Sequence, residues 1–546
     1  MRRALATILT LGLLSTFLFA VILGIMLAFG VISLPVAAVL VVVLNLIILL
    51  VSPTINDFVY GWLYDLDWIT LDELRERNPS GAAVIEQVTD EYGYKQPRLG
   101  LIPDRNPTAF AYGSGRFNGR VVVTEGIFEY LDDEEAASVL AHELGHITSR
   151  DFIIMTLANT IVQLLYLLAI YSWRIAAASG RGSSGSRGRA AGLLYGVAVL
   201  SYILWFVGEY AVLYLSRVRE YAADAFAAEY THPDALASAL VTIAYGIVMS
   251  EDDPELEKAT RNLGIVNIDR SKTEGIIYHN VRESGDSDLL LRSFLFDLKN
   301  PWAALLELNS THPLTGKRVR RLSNMSGAER FNFDDIERRF EVDRGRLWRN
   351  FARDIGMLGL PVLLAVGFPL LYLGAVVTNV VAFSIFALAG GWLFFVGVAM
   401  VAQARYKYPG GDPEETSVIE LLADVYASPV RGARARLEGE LIGRGRAGYR
   451  FSEDLMFQDD TGLMYLKYDH WLPILGNFLF SVRQVPELIG ESVEIHGWYL
   501  RGVSPWLGLR RLRTGDEEIK GFIHIGGYVA GGVLLAVGLV LLVLGL

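Results

Sequence analysis

The sequence predicts a membrane-embedded α-helical protein of about seven spans, with an α+β domain on one side of the bilayer and a small, OB-like β-barrel late in the chain. Three observations carry that reading. Hydrophobic residues make up 52% of the chain and the mean hydropathy is +0.34, both high for a soluble globular protein. Uncharged runs longer than a buried core helix needs recur along the chain. Between Arg405 and Lys520 the pattern changes to short alternating runs divided by turn residues.

The first element is the stretch from Ala4 to Ser52, which holds no charged residue. As a single helix it would reach about 70 Å, against a hydrocarbon core of about 30 Å, so it must fold back. Gly30 through Pro35 supplies the turn, which places two transmembrane helices in residues 1–52. A secretory signal peptide competes for the first of them, but no small-residue cleavage site stands out and a second span follows at once. Residues 53–353 form a soluble domain interrupted by a transmembrane hairpin at 152–216. Its limbs are Phe152–Trp173 and Ala190–Ser216, and the Gly/Ser/Arg stretch from Gly180 to Gly185 is a flexible connection. Glu209 interrupts the second limb. Ile355 to Ala404 is again uncharged and long enough for two helices (354–404), with a break near Thr378-Asn379. In the β-rich region 405–520, Arg434 to Ile442 alternates at roughly period two, and Asp459-Asp460-Thr461-Gly462 joins two apolar runs as a hairpin. Val493–Tyr499 and Trp506–Leu512 supply further strands, and the pattern suits a small barrel. Residues 521–546 form one more apolar helix.

Charge sets the orientation. Arg2, Arg3, Arg344, Arg346, Arg349, Arg353, Arg405, Lys407 and Lys520 mark one side of the spans as cytoplasmic. An even number of spans separates the three soluble parts, so all share that side. The loop bearing Arg174, Arg181, Arg187 and Arg189 runs against this tendency. The expected location is the cell membrane, multi-pass, with the soluble domain in the cytoplasm. A net charge of −11 with no basic stripe argues against a nucleic-acid partner. The absence of cysteine excludes disulfides, thiolate metal ligands and a cysteine nucleophile.

The chemistry is concentrated in His142-Glu143-Leu144-Gly145-His146. Two histidines four apart lie on one face of a helix, and their imidazoles can converge on one cation at the about 2.0–2.1 Å that zinc requires. Glu143 can then reach the open coordination position and deprotonate water there. Asp132-Asp133-Glu134-Glu135 suits the first turn of a helix, and Ala136 to Ala141 supplies small and apolar packing positions. Of eight histidines only this pair has the i, i+4 spacing. The competing reading is two surface histidines on an amphipathic helix. A catalytic zinc needs a third ligand, and Glu220 emerges where the second limb of the hairpin ends. Asp224 lies one turn further on the same face, placed to bond a ligand histidine. Pairing of Glu220 with Arg217 or Arg219 is the structural alternative.

Ala141–Asp151 (AHELGHITSRD), a hydrophobic hairpin, and then Ser216–Ala228 (SRVREYAADAFAA) resemble the HtpX-like family of integral-membrane zinc metallopeptidases, which is related to the CAAX prenyl proteases. Thr108–Gly113 followed by Val121–Gly126 resembles the strands before the zinc helix, and Thr311-His312-Pro313-Leu314 with Arg318 resembles the late His-Pro motif. The likeness covers residues 1–325. It implies one Zn²⁺ per chain held by His142, His146 and Glu220, with Glu143 as general base. The family usually has asparagine where Thr108 stands.

Glu143 would accept a proton from the attacking water and return one to the leaving amine. His312 and Arg318 can stabilise the developing oxyanion, although His312 can also serve as a cap for a helix starting at Pro313. Ala109, Phe110 and Ala111 form either an ordinary strand or an edge strand that takes the substrate in extended form. The expected function is hydrolysis of peptide bonds in membrane or misfolded proteins, as quality control. A CAAX-type processing protease and a non-catalytic membrane scaffold are the alternatives, and retention of all four residues of the metal motif argues against the scaffold.

Overall fold

The computed structural model describes residues 34–179, 186–249, 287–327, 330–444, 452–502, 505–515 and 517–545. The first expected span, most of its turn, and the Gly180–Gly185 connection lie outside the described residues. Among the described residues, six helices are long and apolar enough to cross a membrane: Leu34–Leu63, Asp151–Ala178, Gly188–Tyr230, Arg344–Val377, Ile385–Lys407 and Ile525–Gly545. The chain forms two compact parts, Met1–Ser271 with Glu307–Asn332, and Lys272–Leu306 with Phe333–Leu546. This division falls inside the stretch 53–353 expected as one domain.

In the first part, α1 (Leu34–Leu63) is uncharged until Asp57. A sheet of β1 (Asp67–Ile69), β2 (Arg98–Ile102), β3 (Ala109–Gly113) and β4 (Gly119–Thr124) follows, interrupted by α2 (Leu71–Arg77) and α3 (Pro79–Tyr92). The strand order is β1-β2-β4-β3, with β2 and β4 parallel and the other pairs antiparallel. β3 therefore stands at one end of the order. All its residues are buried, because α1 and the next long helix pack against it.

The short α4 (Glu125–Tyr130) leads into α5 (Asp133–Thr148). Asp132 caps α5 in a capping box with Glu135, and Asp133, Glu134 and Glu135 occupy its first turn, where acids favour the helix dipole. Nearly every residue of α5 is buried, including His142 and Glu143. α6 (Asp151–Ser179) and α7 (Ser186–Tyr230) pack on one another as the expected hairpin. α7 is continuous over 45 residues. Glu209 does not break it, since its carboxylate accepts from Trp205 Nε1 one turn away at 2.9 Å. The same helix thus carries the apolar run and then Glu220 and Asp224. α8 (Pro233–Met249) and α9 (Thr315–Ser326) complete this part and pack together. One expectation is corrected here: the late helix begins at Thr315 and not at Pro313. Its N-cap is Leu314, in extended conformation and with no side-chain cap, so His312 caps no helix. The Ser310 hydroxyl bonds both the N–H and the carbonyl of His312, which holds that segment out of the helix.

In the second part, the helices Ser287–Lys299 and Pro301–Glu307 precede α10 (Phe333–Arg339). α11 (Arg344–Val377) and α12 (Ile385–Lys407) are the two expected apolar helices. The break falls where expected, with Thr378 as C-cap and Asn379 at φ 57°. The β-rich region contains β5 (Glu414–Glu415), α13 (Val418–Ala423), β6 (Ala433–Arg444), β7 (Leu455–Asp459) and β8 (Gly462–Lys467), then α14 (Pro473–Leu479) and α15 (Val485–Leu488). β9 (Ser492–Arg501), β10 (Pro505–Thr514) and β11 (Glu517–Lys520) follow, and α16 (Ile525–Gly545) is the last apolar helix. The strands form one seven-stranded sheet. β6 pairs β7, β7 pairs β8, β8 pairs β10 in parallel, β10 pairs β9, and β9 pairs β6.

Candidate metal centre

The i, i+4 spacing on α5 brings His142 and His146 edge to face, with ring centroids 4.8 Å apart and their Nε2 atoms 3.2 Å apart. α7 crosses α5 and delivers Glu220 to the same point. Glu220 Oε2 lies 3.6 Å from His142 Nε2, and Glu220 Oε1 lies 3.5 Å from His146 Nε2. One ligand atom from each of the three residues falls within 4.8 Å of the others. A tetrahedral ion with bonds of about 2.0–2.1 Å separates its ligand atoms by roughly 3.3–3.4 Å, so the spacing suits such an ion. Glu220 Oε2 is also buried without a hydrogen-bond partner. That oxygen faces the His142 imidazole at 3.6 Å and the Arg318 guanidinium at 3.7 Å, neither within hydrogen-bond reach, and a buried acceptor left so is costly unless a further group meets it.

The outer nitrogens of both imidazoles face carboxylates. Asp224 Oδ1 lies 3.1 Å from His142 Nδ1, and Asp151 Oδ2 lies 2.7 Å from His146 Nδ1. Such contacts fix the ring orientation and leave Nε2 directed inward. Asp224 is held in turn by Arg318, which donates Nε–H to Oδ2 at 2.9 Å and Nη2–H to Oδ1 at 2.5 Å. Asp151 is held by Arg219. Arg217 donates to the carbonyls of Glu307 and Ser310 at 2.9 and 2.7 Å, tying down the loop that leads to His312. Thus Arg217 and Arg219, the alternative partners of Glu220, are both engaged elsewhere.

His312 is buried, with Nε2 3.7 Å from Glu220 Oε1 and Nδ1 3.0 Å from the Thr311 hydroxyl. Arg318 is buried as well, with Nη1 3.7 Å from Glu220 Oε2. Its two short bonds, however, go to Asp224. Glu143 follows His142 on α5 and is 1% exposed, which withdraws its carboxylate from bulk solvent. Burial pushes the Glu143 carboxyl above its ordinary value, against the attraction of the two imidazoles and a bond from the Ala111 main-chain N–H. The edge strand therefore runs beside that carboxylate. Burial also lowers His146 and His312, opposed by the Glu220 charge, so both favour the neutral imidazole that metal ligation needs. For His142 burial again opposes protonation, but the carboxylates of Asp224 at 3.1 Å and Glu220 at 3.6 Å outweigh it and push the group up to about 9.

Three residues take roles the sequence reading did not give them: Asp151, which meets His146; Arg219, its partner; and Arg217, both arginines having been read only as alternative partners of Glu220. Asp151 is five residues after His146, beyond the end of α5. It reaches back only because Arg150 turns the chain at φ 59°. The acid was visible in AHELGHITSRD, but the turn was not.

The sequence profile of peptidase family M48 matches residues 75–326, which include every residue of this centre. A protease HtpX homolog of Desulforapulum autotrophicum is 33% identical over 201 residues, covering 36% of this chain and 64% of the relative. One from Syntrophobacter fumaroxidans is 31% identical over 246 residues, covering 44% of this chain and 74% of the relative. One from Acidiphilium cryptum is 34% identical, covering 39% and 74%. The crystal structure of S. mikatae Ste24p superposes with a TM-score of 0.36 at 17% identity, over 59% of this chain and 64% of that one. With the Syntrophobacter and Acidiphilium relatives each more than 30% identical and covered over 74% of their length, and with apolar helices flanking a two-histidine, one-glutamate cluster, the chain belongs to peptidase family M48, in its HtpX-like group of membrane metallopeptidases.

Proposed function

We propose that the protein is an integral-membrane zinc endopeptidase that cleaves membrane or misfolded proteins, with its catalytic residues on the cytoplasmic side. The observation that carries this reading is the convergence of His142, His146 and Glu220 within 4.8 Å, with Glu143 buried beside them. One Zn²⁺ per chain fits that donor set, and a bound zinc supplies Lewis acidity, polarising a carbonyl and acidifying water.

The chain's own residues do the rest. Glu143, raised by burial, accepts a proton from water and later delivers one to the leaving amine. His312, whose imidazole faces the cluster, donates a hydrogen bond to the oxyanion. Arg318 is a positioning residue. Bound bidentately to Asp224, it orients His142, while its Nη1 faces Glu220 Oε2 at 3.7 Å on the side of the cluster. Ala109, Phe110 and Ala111 on β3 receive the substrate main chain in extended form, next to Glu143. Backbone pairing tolerates many side chains, as quality control requires. The cyclic pairing of β6, β7, β8, β10 and β9 supports a small OB-like barrel, with the parallel β8–β10 pair joining its ends. We assign it a substrate-gathering role at the membrane.

The test is a casein-type cleavage assay on the full chain in liposomes, before and after chelation. Chelation should abolish cleavage and stoichiometric Zn²⁺ should restore it. Cleavage indifferent to a chelator that strips the metal would sink the proposal.

A further inference from the structure

Among the described exposed apolar residues outside the long helices and the turn joining α11 to α12, one group is continuous. Trp471, Leu472, Leu475, Phe478, Leu479 and Val482 are 63%, 45%, 61%, 49%, 42% and 43% exposed. Their spacing, i, i+1, i+4, i+7, i+8 and i+11, is that of one helical face. Trp471 and Leu472 lead into α14, with Leu472 as its N-cap; Leu475, Phe478 and Leu479 lie on α14, and Val482 lies on the turn of π-helix that continues it, Phe480–Gln484. The opposite side of the same segment is already used, since Phe480, Ser481, Val485 and Leu488 are buried. An exposed apolar stripe of this kind needs an occupant.

The fold indicates which one. The stripe begins at a loop tied to the start of the last membrane helix. The Phe522 N–H donates to the Asp469 carbonyl at 2.7 Å, and the His470 and Phe522 rings meet at 6.3 Å. Asn477 on α14 fastens the same loop, accepting from the His470 N–H at 2.7 Å. Phe522 stands three residues before Ile525, where α16 begins. The end of α12 is nearby too: Lys407 lies over the Trp506 ring at 5.4 Å, and Tyr408 packs on Trp498, which in turn meets His524. Two apolar helices thus end where the stripe starts, and tryptophan, tyrosine and lysine gather there as they do at a bilayer surface.

We propose that Trp471–Val482 is an interfacial membrane anchor, lying in the headgroup region beside α16 with its apolar face against the acyl chains. A segment of this kind has an apolar face sunk about 5–10 Å into the boundary region. It fixes the β-rich region against the lipid surface, independently of the proteolytic chemistry. The inference rests on α16 crossing the membrane, and the experiment includes a position that checks this.

The chain has no cysteine, so single cysteines can be placed without background. Leu475→Cys, Phe478→Cys, Val537→Cys and Glu487→Cys would each be spin-labelled in the full chain in liposomes. Accessibility to oxygen, which partitions into lipid, would be compared with accessibility to a water-soluble nickel chelate. Val537, 45% exposed on α16, reports lipid; Glu487, exposed on α15, reports water. The expected result is an oxygen-to-nickel ratio at 475 and 478 close to that at 537 and several-fold above that at 487. If 475 and 478 match 487 while 537 reads as lipid, the anchor is wrong and the span stands. If 537 itself reads as water, the span fails and the anchor with it. If 475 and 478 become protected only when unfolded casein is added, the stripe is a protein-docking face and the lipid proposal is overturned.

Discussion

At the scale of single residues, the centre depends on groups that each do one thing. Glu220 stands with His142 and His146 in the group that could hold a cation, whereas Glu209, on the same helix, bonds Trp205. Glu220→Ala should therefore cut zinc occupancy sharply and Glu209→Ala should leave it intact, as metal analysis of the purified proteins will read. Equal loss from both would defeat the ligand assignment. His312 makes no helix cap, so the role proposed for it in the reaction can be tested in isolation. His312→Ala should lower kcat by about 10²–10³ with zinc content unchanged, as removal of one oxyanion donor does. A thermal shift with turnover intact would instead assign it a packing role. The histidine pair and Glu143 were legible in the sequence because helical spacing alone converges them. Asp151 and Arg217 were not: one depends on a left-handed turn at Arg150, the other on a loop ninety residues away.

At the scale of elements, local signals worked where the physics is local. The acidic first turn of α5 and the break at Thr378-Asn379 are both where the residue types put them. The late helix was misplaced because Pro313 is a good first residue for a helix, yet Ser310 holds the preceding backbone extended. Other arrangements are tertiary and left no pattern to read. Asp57, near the end of α1, accepts from the Tyr112 hydroxyl at 2.8 Å and from Arg120 at 2.9 and 3.0 Å, and so fixes the apolar helix to β3 and β4. Arg120 is buried. Asp57→Asn should cost about 1–3 kcal/mol by leaving that guanidinium poorly met. It should also raise KM more than it lowers kcat, because the edge strand shifts while the metal ligands stay. Denaturant unfolding and steady-state kinetics together check this; unchanged stability and unchanged KM would show that Asp57 does not hold the strand.

At the scale of the whole molecule, every residue of the metal centre belongs to one compact part, and the helix pair α12–α16 to the other. That pair is held by close main-chain approach at glycines. A Cβ added at Gly538 would meet Phe394 N at 2.5 Å and Gly390 O at 2.7 Å, the kind of contact small residues permit between membrane helices. Gly538→Val should therefore lower the unfolding temperature in detergent while the zinc-to-protein ratio holds. Loss of zinc in parallel would show that the two parts are not independent. The central claim is that a zinc site with Glu143 as its base hydrolyses peptide bonds. Its most direct test is Glu143→Gln in the full chain, measured side by side for bound zinc and for casein cleavage. The account predicts about one zinc per chain, as in the unaltered protein, with cleavage abolished. Cleavage persisting near the unaltered rate with zinc bound would contradict it.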